Sequence, residues 1–136
     1  AIARQAVIEM VIGWGPAVLW AVVLFFLSEG SPSGLTLPFG TDKVIHGVLY
    51  VVLGLALGWA WYRGGAAIPV SIVILMGLGY GVLDEWHQSF VPGRHASVGD
   101  AVADAVGVCV GFAIFRRRAL SFRGGGGRLQ TEKSQH

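Results

Sequence analysis

Charged residues and cysteine are both scarce in this sequence. Charged residues make up 13% of the 136 residues, whereas a soluble domain of this size carries about 25%. Cys109 is the only cysteine, which excludes an internal disulfide and a cysteine-based metal cluster within the printed chain. The sequence also lacks the His-Glu-x-x-His helix of zinc proteases, the Gly-x-Ser-x-Gly turn of serine hydrolases and the Walker loop of phosphate-binding proteins. We therefore predict neither a metal nor another cofactor.

Long apolar runs dominate the sequence instead. Hydrophobic residues make up 54% of the chain, and its mean hydropathy is +0.63. A helix of about 20 residues crosses a hydrocarbon core of about 30 Å, and the apolar runs come near that length. The sequence therefore predicts an all-α integral membrane bundle within residues 1–118, followed by a basic, Gly-rich polar tail at 119–136. Four transmembrane helices are expected, at approximately 10–27, 44–61, 66–83 and 98–115.

The basic residues indicate how such a bundle is oriented. Lysine and arginine concentrate in the cytoplasmic connections of membrane proteins. Only Lys43 and Arg94 fall at one end of the predicted bundle, which also holds most of the acidic residues. We therefore expect a multi-pass protein of the cytoplasmic membrane with both termini in the cytoplasm. No nucleic-acid partner is expected, because topology alone explains the basic residues. The residues at the basic end are Arg4, Arg63, Arg116, Arg117, Arg118, Arg123, Arg128 and Lys133.

Two of the predicted helices carry acidic residues on the same face as glycines. Residues four apart share a face of a helix, and glycines at that spacing let helices approach closely in lipid. A carboxylate that faces hydrocarbon is costly. We therefore expect these acids to point into the bundle, with Asp104 paired, hydrogen-bonded or protonated. The two faces consist of Gly77, Gly81, Asp84 and Gln88, and of Asp100, Asp104, Gly107 and Gly111.

The polar residues at this end also have structural explanations. Ser97 and Asp100 have the spacing of a helix capping box. The stretch "VPGR", residues 91–94, is typical of a turn with proline and glycine at its centre. Arg94, at the end of that turn, is placed to neutralise Asp84, Glu85 or Asp100, and Lys43 is expected to pair with Glu85. Each of these roles concerns stability alone.

The convergence of so many polar groups at one end of a small bundle favours a functional site. Acid–base or anion-recognition chemistry fits these residue types best, since carboxylates and imidazole carry protons and basic side chains bind anions. The candidate catalytic residues are Glu85, Asp84 and His46. The candidate substrate-binding residues are Asp42, Lys43, Tyr50, Gln88, Arg94, Asp100 and Asp104.

Two stretches, "DKVIHGVLYVVLG" and "DEWHQSFVPGRHASVGDAVADAVG", resemble the motif blocks of the VanZ-like membrane proteins. The resemblance covers residues 41–111 and departs at Asp104, where the family usually has asparagine. It implies an envelope lipid or a lipoglycopeptide as ligand, because the family is named for reduced susceptibility to the lipoglycopeptide antibiotic teicoplanin. The family positions fall on Asp42, Lys43, His46, Tyr50, Glu85, Gln88, Arg94 and Asp100.

Two functions remain open from the sequence. In the first, the chain binds or acts on an envelope lipid or lipoglycopeptide at the extracytoplasmic face through the polar cluster. In the second, it is a non-catalytic transmembrane subunit or scaffold of a larger membrane complex, and the cluster fixes the register of the helices. Membrane lipids are expected partners in both cases, with a larger complex or a homo-oligomer as the expected assembly. Whether the chain is an enzyme is left open.

Overall fold

The chain folds into helices over the residues that the structure describes. The computed structural model describes residues 1–29, 40–64 and 66–133, with side chains through residue 124. Within those ranges it has four helices and no strand, which confirms the all-α prediction. The helices are α1 (Ile2–Glu29), α2 (Thr41–Arg63), α3 (Val70–Gln88) and α4 (Val98–Lys133).

Three stretches of helix are long and apolar enough to cross a membrane. These are α1, α2 and the Val98–Gly124 part of α4. α3 falls short because its last turns carry Asp84, Glu85 and His87. The prediction of a helical membrane protein is therefore confirmed through three helices among the described residues.

The ends of α3 and α4 differ from the predicted span limits. The third span was expected to start at residue 66, but Pro69 has extended backbone, with φ −56° and ψ 137°, and α3 begins at Val70. The apolar residues before Pro69 belong to the connection, because a residue that precedes proline disfavours helical backbone. α4 continues as helix through Lys133, into the predicted tail at 119–136, whose end lies outside the described residues.

The surface of the bundle is apolar, whereas part of its interior is polar. On α1, Val18 is 59% exposed, Leu19 67% and Phe26 65%. A helix that is apolar on its outward face is suited to contact with lipid tails. The burial confirms the expectation that the acids of α3 and α4 point into the bundle. The buried polar residues are Ser28, Asp84, Glu85, Gln88, Asp100 and Asp104.

α2 and α4 pack backbone against backbone. Gly107 and Gly111 of α4 lie so close to α2 that a Cβ atom would collide with a carbonyl oxygen. The oxygen is that of Gly47 for Gly107, and that of Val51 for Gly111. No side chain separates the two helices there, as expected where small residues form a helix interface in lipid. The packing role predicted for these two glycines is confirmed.

α3 packs across the α2–α4 pair. A Cβ atom at Gly77 would lie 2.6 Å from Cγ1 of Val108 on α4 and 2.9 Å from Cδ1 of Leu57 on α2. α3 therefore needs a small residue at this crossing. Val73 of α3 and Tyr50 of α2 are buried in the same apolar core as Val108 and Leu57. The crossing brings the polar ends of the three helices together.

α1 is attached to the other helices by hydrogen bonds to backbone carbonyls. Nε1 of Trp20 donates to the carbonyl oxygen of Leu49 on α2 at 2.9 Å. The hydroxyl of Tyr80 on α3 donates to the carbonyl oxygen of Ala21 on α1. Side-chain hydrogen bonds of this kind join helices in membranes. They place the last turn of α1, with Ser28, beside the polar end of α3.

The two ends of the bundle differ in charge. At one end, Arg63 at the close of α2 pairs with Glu9 near the start of α1. The guanidinium of Arg123 on α4 lies 5.1 Å from the centre of the Tyr62 ring at the same end. The opposite end contains the C-termini of α1 and α3 and the N-termini of α2 and α4. Most of the acidic residues lie at this end.

Candidate functional site

A tight turn in the α3–α4 connection leads into the polar end of the bundle. The backbone N–H of Arg94 donates to the carbonyl oxygen of Val91 at 3.1 Å. Gly93 has a φ of 80°, which is the left-handed backbone that the third position of a type II turn requires. Pro92 supplies the second position, where its fixed φ is suited to the turn. The predicted turn at 91–94 is confirmed, and Arg94 is its last residue.

Asp84 joins three helices through its carboxylate. Its Oδ1 accepts a hydrogen bond from the Ser28 hydroxyl of α1 at 2.5 Å, and its Oδ2 accepts one from the Tyr50 hydroxyl of α2 at 2.9 Å. Nε2 of Gln88, one turn further along α3, donates to Oγ of Ser28 at 2.5 Å and lies 3.4 Å from Oδ2 of Asp84. Every member of this group is buried. The hydrogen bonds satisfy the carboxylate, as burial requires.

Glu85 completes the cap at the start of α4. Oγ of Ser97 accepts a hydrogen bond from the backbone N–H of Asp100 at 3.4 Å, which is one half of the predicted capping box. In the other half, the backbone N–H of Ser97 donates to Oε2 of Glu85 at 3.0 Å. Glu85 of α3 thus takes the place that the Asp100 side chain would occupy in a capping box. The Asp100 carboxylate is left for another partner.

That partner is Lys43 at the start of α2. Nζ of Lys43 lies 3.1 Å from Oδ1 of Asp100 and 3.8 Å from Oδ2 of Asp42. The expected pairing of Lys43 with Glu85 is therefore wrong. Glu85 is held by the cap of α4, while Asp100 is the carboxylate within reach of the lysine.

His46, Glu85 and Asp104 bring one ring nitrogen and two carboxylates together from α2, α3 and α4. Nδ1 of His46 lies 3.1 Å from Oδ1 of Asp104 and 3.9 Å from Oε1 of Glu85. Asp104 is 1% exposed and Glu85 is 6% exposed. Oε1 of Glu85 and Oδ2 of Asp104 have no hydrogen-bond partner among the described residues. This trio therefore has more acceptor atoms than the described part of the chain satisfies.

A cleft of about 580 Å³ opens beside the polar cluster. Its lining combines apolar side chains with hydroxyl, imidazole, carboxylate, amide and guanidinium groups. A second cleft of about 270 Å³ lies towards the start of α2 and shares His46, Gln88 and Arg94 with the first. The first cleft is lined by Leu24, Phe26, Leu27, Ser28, Ile45, His46, Leu49, Tyr50, Asp84, Gln88 and Arg94.

Arg94 is the basic group shared by the two clefts. Within the ranges 1–29, 40–64 and 66–124, no carboxylate oxygen lies within 4.0 Å of its guanidinium. The expected neutralisation of Arg94 by Asp84, Glu85 or Asp100 is therefore not seen there. Asp84 and Asp100 are engaged by hydroxyl, amide and ammonium donors instead.

A comparison with protein-family models found a match, and the matched part of the chain includes the whole candidate site. The model described as VanZ/LLP1 matches residues 14–121. The chain belongs to the VanZ/LLP1 family. The match includes all of α2 and α3, most of α1, and α4 well beyond the polar cluster. The resemblance seen in the two motif blocks is thereby confirmed. Searches of curated proteins and of solved structures found no match.

The structure brings most of the predicted site residues of this VanZ/LLP1 chain together. Asp42 is the outlier, since it is exposed at the rim of the smaller cleft. Lys43 and Arg94 lie at the edge of the cluster. The catalytic and binding roles assigned to these residues remain predictions. His46 is half-buried, and the residues that form the buried part of the cluster are Tyr50, Asp84, Glu85, Gln88, Asp100 and Asp104.

Ser28 is a member of the cluster that the sequence analysis did not include. It is 3% exposed, donates to Asp84 and accepts from Gln88. Its position at the polar end of the first apolar run is a signal that was available in the sequence. α1 has no polar stripe of its own, however, so the pattern did not show which of its faces meets α3.

Proposed function

We propose that this VanZ/LLP1 membrane protein binds an amphiphilic envelope molecule, a lipid or a lipoglycopeptide, through the polar cluster at its extracytoplasmic end. The observation that carries the proposal is the larger cleft, whose lining combines apolar side chains with a set of polar groups. An amphiphile needs both surfaces in one place. The volume of about 580 Å³ falls in the range of about 300–1,000 Å³ that small-molecule sites occupy.

The apolar residues that line the cleft are suited to contact with the hydrocarbon chain of such a ligand. Leu24 and Leu27 come from the end of α1, and Ile45 and Leu49 from the start of α2. Transfer of a hydrocarbon chain from water contributes about 0.8 kcal/mol for each methylene, and a ligand in the bilayer has already gained that free energy. A ligand that already resides in the bilayer enters the cleft by lateral diffusion. The apolar lining therefore mainly determines the depth and orientation of the bound ligand.

Arg94 supplies the recognition of an anion. A guanidinium offers several donors in one plane and pairs well with phosphate or carboxylate. Its lack of a carboxylate partner among the described residues leaves those donors for a ligand. Phosphate and carboxylate head groups are therefore the chemistry that we expect at the polar side of the cleft.

The orientation follows from the charge of the two ends. The basic end, with Arg63, Arg116 and Arg123, is assigned to the cytoplasm by the preference of basic residues for that side. The polar cluster then opens to the extracytoplasmic side, and the N-terminus of α1 and the C-terminus of α4 are cytoplasmic. All four helices are proposed to lie in the membrane, with the polar close of α3 shielded by α1, α2 and α4.

The proposal requires binding and no chemical step. If a bond in the ligand is broken, Glu85 and His46 are the better proton carriers, because Oε1 of Glu85 has no hydrogen-bond partner among the described residues. Asp84 is less suited, since its oxygens already accept hydrogen bonds from Ser28 and Tyr50. A group that is fully engaged in structure has to break those bonds before it transfers a proton.

The test is native mass spectrometry of the chain released from its membrane in mild detergent. We expect a defined anionic amphiphile to remain bound, and Arg94→Ala to weaken its retention by about tenfold, the cost of one charge-assisted hydrogen bond. Arg117→Ala is the matched control, because it removes the same charge from an exposed position of α4 at the other end. Equal retention in the Arg94→Ala and wild-type chains would contradict the proposal.

A second function is favoured by a different observation. Asp84 ties α3 to α1 and α2, and Lys43 and Asp100 tie α2 to α4. These bonds fix helix register, as needed in a non-catalytic subunit or scaffold of a larger membrane complex. Under this alternative, Tyr50→Phe lowers assembly with the partner, whereas Tyr62→Phe, which removes a hydroxyl at the other end, does not. Stoichiometric association with a larger complex in the same mass spectra would favour it.

A further inference from the structure

The unbalanced charge of the His46–Glu85–Asp104 trio points to a ligand that neither the motifs nor the family match assigns. Of the buried acids at this end, Asp84 is satisfied by hydrogen bonds and Asp100 pairs with Lys43. Glu85 and Asp104 are left with one imidazole between them. Buried charges are normally paired or bound to a metal, and one imidazolium balances only one of two carboxylates.

We propose that the trio binds a divalent cation of the first transition row, with Zn²⁺ as the representative ion. Its ligands are Nδ1 of His46, Oε1 of Glu85 and Oδ1 of Asp104. One ligand atom of each residue lies within 4.8 Å of the others. This site differs from the sequence-based expectation of no metal, because the three ligands come from three helices and form no motif in the chain.

The distances suit such an ion. Ligand atoms that share a cation at about 2.0–2.2 Å lie roughly 3–3.5 Å from one another. The separation of 3.1 Å between His46 Nδ1 and Asp104 Oδ1 already fits, and that of 3.9 Å between His46 Nδ1 and Glu85 Oε1 requires the Glu85 side chain to rotate. The ligand atoms of the two carboxylates lie within 4.8 Å of each other and would have to approach around the ion. The donor set combines an imidazole with carboxylates, which suits the first transition row better than Mg²⁺ or Ca²⁺.

The surroundings of the trio support this assignment independently. Glu85 is more than nine-tenths buried, and its Oε1 atom faces His46 without a hydrogen-bond partner among the described residues. Its other oxygen, Oε2, is held by the backbone N–H of Ser97. Hydrogen bonds of this kind orient the first ligands of a metal site. His46 borders both clefts, which gives an ion and a further ligand a route to the site.

With three protein ligands, positions on the cation remain open for water or for an anionic group of a bound molecule. The proposal does not depend on the amphiphile proposed above. The two share His46 and its cleft, but each can fail alone, because Arg94 is not a ligand of the ion. Metal content is measured without any envelope molecule.

The test is the metal content of the full chain, purified through a tag without histidine and stripped with a chelator. The stripped protein is dialysed against Zn²⁺, Mn²⁺, Mg²⁺ or Ca²⁺, and bound metal is measured by inductively coupled plasma mass spectrometry. Co²⁺ serves as an optical probe, since its visible absorption reports ligand number. We expect about one Zn²⁺ per chain, and a loss of at least about tenfold in affinity in Asp104→Asn and in Glu85→Gln.

The controls remove the same residue types outside the trio. His95→Gln and Glu29→Gln change exposed side chains and should bind Zn²⁺ like the wild-type chain. Helical circular dichroism and elution volume confirm that each variant is folded, and Glu85→Gln serves if Asp104→Asn does not fold. The proposal is overturned if the wild-type chain binds no Zn²⁺, if the trio variants bind as much as the controls, or if Mg²⁺ and Ca²⁺ bind as tightly as Zn²⁺.

Discussion

The backbone N–H of Ser97 donates a hydrogen bond to Oε2 of Glu85 at 3.0 Å, so a side chain at the close of α3 caps the start of α4. The cap links two helices that are also joined by the turn at 91–94. It fixes the position of Asp100 and Asp104, because both lie in the first two turns of α4. The cap therefore sets the geometry of the polar cluster together with the Lys43–Asp100 pair and the close packing of α4 on α2.

Removal of the Glu85 side chain should destabilise the bundle. Glu85→Ala leaves the Ser97 N–H without its acceptor, and loss of a capping side chain costs about 1 kcal/mol. Glu85→Gln keeps an oxygen that accepts the bond, so it should unfold close to the wild-type temperature. Thermal unfolding in detergent with a chelator present measures the difference, because the chelator removes any effect of a bound metal.

The control for this prediction is Glu29→Ala. Glu29 is exposed at the close of α1 and lies 3.7 Å from Nε2 of His87. An exposed ion pair contributes little, typically below about 1 kcal/mol. A Glu85→Ala chain as stable as Glu29→Ala and the wild-type chain would show that the cap contributes nothing to stability.

The α2–α4 interface should not tolerate a side chain at Gly111. A Cβ atom there meets the carbonyl oxygen of Val51, and a backbone oxygen in a helix cannot move aside. Gly111→Ala must separate the helices, and overpacking of this kind costs about 1–3 kcal/mol. Fluorescence-detected size-exclusion chromatography after heating should show a lower unfolding temperature.

Gly79→Ala provides the matched comparison. A Cβ atom at Gly79 has no neighbour within 4 Å, and alanine favours helix over glycine by about 1 kcal/mol. This variant should be as stable as the wild-type chain or more stable. Equal behaviour of the Gly79 and Gly111 variants would contradict the close approach of α2 and α4.

The proposed orientation can be tested with single cysteines. The native Cys109 is exposed on α4 and is replaced first, as Cys109→Ser. In that background, Ser89→Cys lies in the α3–α4 connection and Ser121→Cys lies at the basic end. A membrane-impermeant maleimide should label the residue 89 variant in intact spheroplasts, and the residue 121 variant only after permeabilisation. The reverse pattern would place the polar cluster on the cytoplasmic side.

The face of α4 that points into the bundle was predictable, because the residues that mark it lie close together in the sequence. Asp104 lies three residues before Gly107 and seven before Gly111, so all three fall on one side of a helix. The backbone contacts of Gly107 and Gly111 with α2 then require Asp104 to be buried as well. The spacing of polar and small residues along one helix therefore predicted which side faces the bundle.

Contacts between helices were less predictable, because they depend on rotation and depth. Lys43 was expected to pair with Glu85 but pairs with Asp100, since Glu85 is taken by the N–H of Ser97. Ser28 joined the cluster through the rotation of α1, which an evenly apolar helix does not reveal in its sequence. The start of α3 was placed too early because the apolar run continues through the connection before Pro69.

The tight pairing of α2 with α4 has a consequence for biosynthesis. α4 leaves the ribosome after the other three helices, so the interface between α2 and α4 does not exist while α3 is being made. Until α4 is made, Glu85 lacks the Ser97 N–H that donates to its Oε2, and His46 lacks the Asp104 carboxylate. The polar cluster is therefore assembled only after α4 has been made and has packed against α2, so its members come together last.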